Sequence, residues 1–401
     1  MKPKSILLAV LISVCSVPYS VFAQGWNALL DWPVSTVTNK AYLTSMTERP
    51  WWNDAWQKRV PLLVSGQADE KDDKVIVDAI VDLGEKVEPK EVRVVTPWET
   101  VVPCVCEKAE GSKVRLLFKT TLRQHENKPF LVYFGNPAAQ AEKISADVTL
   151  ETDEHTFRIR NGVLDVVFDR RHVTEGLIRS LRILGSNCRT VFFDRATGYA
   201  KAGFVFHPNA TNSWDKGTVT ADNALVKSIR FECADSTLTF TLYAEQPRID
   251  WSYEIHRGDE ASIRMNWGLG TGSAFDDFFY CGKNGKILTQ RAGLDHVTDS
   301  MTNPEGRFED WLGEGWYAIG ERRMGDIAGL AFDVTAAGRL GYDSYYGVSA
   351  GLKLRHKLER GEKAAGSGAV VATLGDVNDY RRICKRIAKP VIVSVGAVQA
   401  K

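Results

Sequence analysis

The sequence predicts an all-β protein in which a small β-sandwich or barrel precedes a larger antiparallel β-supersandwich with one late helix. Short runs rich in β-branched residues recur between Arg59 and Phe134 and are separated by polar turns. Longer runs in which apolar and polar residues alternate begin near Leu150. The chain also has 33 glycines and 14 prolines, mostly between these runs, which indicates many turns rather than disorder.

The first element is an export signal over residues 1–23. Two lysines precede an apolar run at residues 6–14, and small residues precede a cleavage point before Gln24. The run is shorter than the roughly 18 apolar residues of a membrane helix, and no later run reaches that length. We therefore expect a secreted or periplasmic protein without a membrane span. The alternative, a lipid anchor at Cys15, requires a small residue where Val14 stands.

The charge composition does not imply a partner that binds mainly by electrostatic attraction. The 51 basic and 50 acidic residues give a formal net charge of +1, and the two signs are interleaved along the chain. A nucleic-acid-binding protein needs a basic stripe that neutralises phosphates, so no nucleic-acid partner is expected. The length suits two to three domains at about 150 residues each.

Cysteines and metal ligands give weak signals. An even number of cysteines in an oxidising compartment permits disulfides and also permits buried thiols. Cys104 and Cys106 share one face of a predicted strand, and no second close Cys or His pair follows, so zinc is not predicted. We assign no cofactor, and calcium is the only metal kept in view, through Asp276, Asp277, Asp295 and Asp299. After signal cleavage the cysteines are Cys104, Cys106, Cys188, Cys233, Cys281 and Cys384.

The modules follow in order along the chain. A Trp-rich strap at residues 24–56 precedes the small β-domain at residues 57–137, and residues 138–148 form a linker. The supersandwich domain takes residues 150–401, with its clearest alternation between residues 224 and 267. Its helix is capped by Asp376 and ends before Pro390, after which a final strand follows.

Two segments carry a family resemblance. The ending Tyr133-Phe134-Gly135-Asn136-Pro137 resembles that of small β-domains attached to secreted bacterial carbohydrate-active proteins. Residues 160–168, followed by residues 176–181, resemble the opening hairpin of galactose-mutarotase-like domains, which occur in polysaccharide lyases and glycoside hydrolases. Over residues 57–290 the chain resembles the exo-rhamnogalacturonan-lyase-like group. The resemblance implies a polysaccharide or oligosaccharide partner, although the paired catalytic histidines and glutamate base of the mutarotase pattern are not recognisable.

The candidate catalytic residues lie on and near one predicted strand, residues 248–257. Its even-numbered residues form a polar face that can line a cleft, or that can be the solvent face of a half-buried strand. Elimination from a uronate needs a base and a cation in one groove. We therefore select His256, Arg257 and Tyr253 as catalytic candidates, together with His207 from a predicted loop.

The candidate substrate-binding residues are aromatic side chains next to charged ones. Saccharide rings present apolar C–H faces to Trp and Tyr, although large aromatics also fill cores. The selected residues are Trp311, Trp316, Tyr345, Tyr346, Arg323 and Asp343.

These observations predict a secreted polysaccharide-processing protein. The leading hypothesis is a lyase-like or hydrolase-like enzyme acting on an acidic or complex glycan. The alternative is a non-catalytic carbohydrate-binding or cell-envelope scaffold protein. No motif fixes the reaction, because the fold alone does not determine function.

Overall fold

The computed structural model describes most of the chain after residue 42. The described residues are 43–66, 73–123, 126–170, 177–185, 190–192, 203–208, 214–234, 236–255, 261–268, 277–291, 312–320, 326–333, 337–343, 347–354 and 363–401. Strands dominate these ranges, and the helices are a turn at residues 43–47, a 3-10 turn at Pro89–Glu91 and one late α-helix. The predicted all-β class is confirmed.

The first module is a β-sandwich of two sheets. Sheet 1 has the order β26-β1-β7-β3-β4, with β27 also paired to β1, and sheet 2 has the order β2-β6-β5. The inward residues of both sheets form one apolar core that includes Val60, Leu116 and Phe130. The strands are β1 (Lys58–Ser65), β2 (Asp73–Asp82), β3 (Arg93–Val95), β4 (Val101–Val102), β5 (Cys104–Lys108), β6 (Lys113–Leu122), β7 (Asn127–Phe134), β26 (Ile392–Val395) and β27 (Gln399–Ala400).

The C-terminal strands belong to the first module. β26 runs antiparallel to β1 with Leu63 opposite Ser394, and β27 pairs with the start of β1. Val391 and Val393 pack against the core of the first module. The predicted final strand therefore exists, but the boundary that assigned residues 150–401 to one domain is corrected, because β1 offers these residues a free sheet edge.

The second module contains two nine-stranded antiparallel sheets. Sheet 3 has the order β23-β24-β18-β13-β11-β10-β9-β8, with β12 beside β11, and sheet 4 has the order β14-β15-β16-β17-β25-β22-β21-β19-β20. The strands of sheet 3 are β8 (Thr149–Thr152), β9 (Thr156–Arg160), β10 (Leu164–Asp169), β11 (Ile178–Ile183), β12 (Thr190–Phe192), β13 (Gly203–Pro208), β18 (Ala261–Gly268), β23 (Ala337–Asp343) and β24 (Gly347–Leu354). The strands of sheet 4 are β14 (Lys216–Asp222), β15 (Val226–Glu232), β16 (Ser236–Tyr243), β17 (Arg248–Ile255), β19 (Asp277–Gly282), β20 (Ile287–Arg291), β21 (Leu312–Gly320), β22 (Asp326–Phe332) and β25 (Ala364–Leu374).

The core of the second module lies between these sheets. Phe168 from sheet 3 and Phe240 from sheet 4 have ring centroids 5.0 Å apart. Strand β17 alternates half-buried and buried residues along its whole length, because a strand points successive side chains to opposite faces. The large continuous core confirms that the second run of strands closes on itself as a sandwich.

Helix α1 (Val377–Ala388) covers one part of the outer face of sheet 4. Asp376 accepts hydrogen bonds from the backbone N–H groups of Asn378 and Asp379, and the Asp379 side chain returns a contact to the cap, as predicted for the N-terminus. The buried residues Tyr380, Ile383 and Cys384 face β21, β22 and β25. The remaining part of this outer face, on β14 to β17, is free of the helix.

None of the helices in the described residues is long and apolar enough to cross a membrane. In the described part of the chain, Cys104, Cys106, Cys281 and Cys384 are free thiols. Burial raises the pKa of Cys104 to about 11 and that of Cys106 to about 12, so both thiols stay protonated at neutral pH.

Candidate functional site

The candidate site is the polar outer face of sheet 4 beside the first module, which we call the junction face. On β17 its residues are Arg248, Asp250, Ser252 and Glu254, because Ile249, Trp251, Tyr253 and Ile255 point into the core. The register extends the polar face across the sheet, and its remaining members are Thr237, Thr239 and Thr241 on β16 and Ser228, Arg230 and Glu232 on β15.

Small residues of β25 border the junction face on its other side. Strand β25 places Ala369 opposite Asp250 and Ser367 opposite Ser252. The Ala369 side chain is fully buried in the cluster that helix α1 forms on this sheet, so the face ends at the helix on this side. The face therefore combines hydroxyl groups and charged groups, which are the groups that orient a polar ligand.

Asp250 is the titratable centre of this face. Its Oδ1 lies 3.0 Å from Nε of Arg248, and the two side chains are 20% and 25% exposed. Burial raises the pKa of Asp250, and the neighbouring Arg248 opposes that shift. A carboxyl group with a raised pKa keeps its proton to higher pH, which suits a general acid.

A second carboxylate approaches from the first module. Oδ2 of Asp78 accepts a hydrogen bond of 2.9 Å from the Tyr243 hydroxyl. The Arg115 guanidinium donates to both Asp78 oxygens at 2.8 and 2.7 Å. Burial raises the pKa of Tyr243 well above its usual value, and the charges of Asp78 and Asp250 raise it further. The Tyr243 hydroxyl therefore stays protonated and donates from the second module to Asp78 of the first.

Polar and apolar contacts hold the two modules together around this point. Lys119 of the first module pairs with Glu245 at 2.7 Å and with Asp147 at 2.5 Å. Asn223 donates to Glu107 at 2.6 Å. An apolar cluster lies beside these pairs, with Leu117 from β6 and Leu225, Val226 and Ala244 from the second module. The junction face therefore lies next to the packed interface between the first and second modules.

A groove opens at the edge of the second module where β8 and β14 lie close together. Its volume is about 510 Å³. Arg170 spans the groove, donating to the Glu154 and Asp215 carbonyl oxygens at 3.3 Å. Lys216 and Thr218 of β14 line it. They lie opposite Glu232 and Arg230 of β15, which belong to the junction face. The groove therefore extends the polar surface at its β14 edge.

Two of the residues selected from the sequence are core residues. Tyr253 is 2% exposed and packs in the core of the second module, stacked on Trp251 at 6.0 Å. Trp316 is 1% exposed, and its Nε1 donates to Glu314 under helix α1. Neither ring reaches the surface, so the catalytic assignment of Tyr253 and the stacking assignment of Trp316 are corrected to packing roles.

The other selected residues are not brought together by the described structure. His207 is on β13 opposite Ser262, and Asp343 is on β23 opposite Ser349, in the same sheet but separated by β18 and β24. The remaining selected residues lie outside the described residues and stay predictions, and they are His256, Arg257, Trp311, Arg323, Tyr345 and Tyr346.

The residues at the centre of the junction face were not selected from the sequence. The alternation in residues 248–256 did place Asp250 on a polar face, and that signal was sufficient to prefer it over Tyr253. Nothing in the sequence brings Asp78 next to Tyr243, because they are far apart in the chain and meet only through the module interface. Across the described residues no group of His, Cys, Asp or Glu is arranged to hold a metal ion.

Comparison with known proteins relates the chain to solved structures only. No family model and no curated protein matches the sequence. An α-mannosidase from Enterococcus faecalis V583 superposes with a TM-score of 0.55 at 10% identity, covering 87% of this chain and 47% of that one. A protein in glycosyl hydrolase family 38 from Enterococcus faecalis gives 0.52 at 9% identity, covering 86% of this chain and 48% of that one. The chain thus shares the fold and spans about half the length of these structures.

Proposed function

We propose that this protein is a secreted carbohydrate-active enzyme that cleaves a complex or acidic glycan at the junction face. The observation that carries the proposal is the Asp250 carboxyl, which has a raised pKa and stands beside Arg248 on a polar, partly exposed face. The likeness of the fold to an α-mannosidase over both modules supports a saccharide as the ligand class. The predicted export signal supports a substrate outside the cytoplasm.

In this proposal water attacks the anomeric carbon while its bond to the leaving glycosidic oxygen breaks, Asp250 donates its proton to that oxygen, and the attacking water releases a proton to solvent. Arg248 binds an acidic or hydroxyl group of the substrate, and the Ser and Thr hydroxyls of β15 and β16 hold the other sugar hydroxyls. His256 and Arg257 follow β17 directly in the sequence, and they remain the candidates for a base and a cation if the reaction is an elimination. Calcium remains a candidate ligand for the same saccharide-binding module.

The second candidate function is non-catalytic carbohydrate binding. It is favoured by the bidentate pairing of Asp78 with Arg115, which engages the carboxylate that the Tyr243 hydroxyl contacts. Glycoside hydrolysis ordinarily needs two carboxyl groups across the sugar. A binding protein needs only the hydroxyl and charged groups of the face.

The deciding experiment incubates the mature protein, from Gln24, with plant, algal and animal polysaccharides while absorbance at 235 nm and new reducing ends are followed. We expect reducing ends without absorbance, and a rate that falls as pH rises through the pKa of Asp250, because the acid must be protonated. Asp250→Asn is expected to lower turnover by about 100-fold or more. Asp222→Asn, an exposed carboxylate of β14 paired with Lys227, is the matched control and keeps the rate.

Each outcome separates the alternatives. A rise at 235 nm indicates elimination and directs mutagenesis to His256 and His207. An Asp250→Asn protein with full activity contradicts the proposal at its central residue. Glycan binding without any product, retained in Asp250→Asn, assigns the protein to the binding class.

A further inference from the structure

Trp98 is the most exposed large apolar side chain in the described part of the chain. It is 72% exposed, whereas the next residue in that group, Ile80, is 52% exposed. It lies in the turn between β3 and β4 of the first module, on residues 96–100. Tryptophan is among the largest apolar side chains, so a ring presented to water in this way needs an explanation beyond packing.

The turn that carries Trp98 is rigid. The Glu99 N–H donates to the Thr96 carbonyl at 3.0 Å, and the Thr96 N–H donates to the Thr100 carbonyl at 2.8 Å. The Thr96 hydroxyl accepts from the Thr100 N–H at 3.2 Å, and Pro97 fixes the first central position. Glu99 adopts a φ of 62°, which non-glycine residues rarely adopt. A glutamate occupies a position where glycine would fit more easily, and it follows Trp98 directly in the sequence.

The residues that flank the turn are packed in an apolar cluster. Val95 and Val101 flank it, and both pack in an aromatic cluster with Trp56 and Tyr133. Nη1 of Arg49 lies 3.5 Å from the Pro97 carbonyl oxygen, so a second exposed charged side chain reaches the turn. The result is one exposed aromatic side chain on an ordered turn, with the charged residues Arg49 and Glu99 at the same turn.

We propose that Trp98 is the stacking platform of a carbohydrate-binding site on the first module, separate from the junction face. The apolar C–H face of a sugar ring lies on the indole, and Arg49 and Glu99 bind its hydroxyl groups. The ligand class rests on the proposed function. A protein partner fits less well, because stable protein interfaces bury about 800 Å² on each side around an apolar centre. Here one ring stands among the exposed charged or polar residues Arg49, Glu99 and Thr100.

The two sites have different tasks in this arrangement. Trp98 retains a long glycan on the first module, while the junction face acts on a segment of it. Removal of Trp98 therefore weakens binding to long or insoluble polysaccharide and leaves the turnover of short soluble oligosaccharides unchanged.

The test compares the mature wild-type protein with Trp98→Ala, Trp98→Tyr and Ile80→Ala. Binding is measured by co-sedimentation with insoluble polysaccharides and by affinity electrophoresis in soluble ones, and thermal unfolding checks the fold. We expect Trp98→Ala to lose about tenfold in affinity, since one aromatic contact is removed. Trp98→Tyr is expected to keep most of the affinity, and Ile80→Ala, the control on the same module, to keep all of it.

The outcomes distinguish this inference from the proposed enzyme. Equal glycan binding by wild type and Trp98→Ala overturns the inference and leaves the enzyme proposal intact. Trp98-dependent binding without product, unchanged in Asp250→Asn, supports the inference and contradicts the enzyme proposal. Trp98-dependent self-association or vesicle binding, with no glycan bound, overturns the inference and assigns the ring to a protein or lipid contact.

Discussion

At the scale of single residues, Arg59 connects three parts of the first module. The residue is 3% exposed, and its guanidinium donates to the Thr47, Arg49 and Pro50 carbonyl oxygens. Its Nε donates to Gln399 of β27, and the cation lies 4.5 Å from the Trp51 ring centroid. One side chain thus fixes the strap, the first strand and the C-terminal strand. Because the strap also carries Arg49, Arg59 supports the turn on which Trp98 stands.

We predict that Arg59→Met destabilises the protein by about 3 kcal/mol, because several buried acceptors lose their donor. Urea unfolding followed by Trp fluorescence measures the change. Arg160→Met is the control, since the Arg160 side chain is 42% exposed and its partner Asp165 keeps Arg158, so a loss below about 1 kcal/mol is expected. Equal losses in the two variants would contradict this role of Arg59.

At the scale of elements, two glycines of β25 leave space for the aromatic side chains of β17. Gly368 lies opposite Trp251, and Gly366 lies opposite Tyr253. A Cβ at Gly368 would lie 2.4 Å from Cζ2 of Trp251 and 2.4 Å from the Ala331 carbonyl oxygen. The backbone atom cannot yield, so the centre of sheet 4 accepts only glycine there.

Gly368→Ala is accordingly expected to lower the free energy of unfolding by about 3 kcal/mol, through overpacking rather than loss of contacts. Thermal unfolding of the purified variant gives the measurement. Ala365→Ser changes an exposed position of the same strand and should stay within about 0.5 kcal/mol of wild type. A Gly368→Ala protein with wild-type stability would contradict the inference that the neighbouring backbone leaves no space for a Cβ at this position.

The elements that the sequence predicted well are those whose pattern is local. The alternation of β17 and the cap and buried face of α1 follow from residues 248–255 and 376–387 alone. The two corrected site residues failed for a related reason. Tyr253 was selected by residue type against its own alternation, and the burial of Trp316 depends on a helix more than 60 residues later. Pairings across the modules, such as Asp78 with Tyr243, have no local signal.

At the scale of the whole molecule, the second module is inserted between strands of the first. β7 and β26 flank β1 on its two sides, although all strands of sheets 3 and 4 separate them in sequence. Ion pairs of Lys119 with Glu245 and with Asp147 also hold the second module against the first. The two modules should therefore unfold together rather than one after the other.

Val393→Asp tests this coupling, because Val393 packs on the core of the first module from β26. We predict a loss of about 2 kcal/mol and a separate early transition of the first module in thermal unfolding. Ile392→Asp alters the adjacent residue, which is 37% exposed, and serves as the control with a loss below about 1 kcal/mol. A single cooperative transition in both variants would contradict a structural role for β26.

The return of β26 and β27 to β1 also sets an order of assembly. During synthesis β1 leaves the ribosome early, yet the strands that complete its sheet emerge only after the whole second module. The first module therefore stays incomplete, with an open edge on β1, until the last strands arrive. If the chain is exported, as residues 1–23 predict, delayed closure of this sheet helps to keep the first module unfolded until the chain has crossed the membrane.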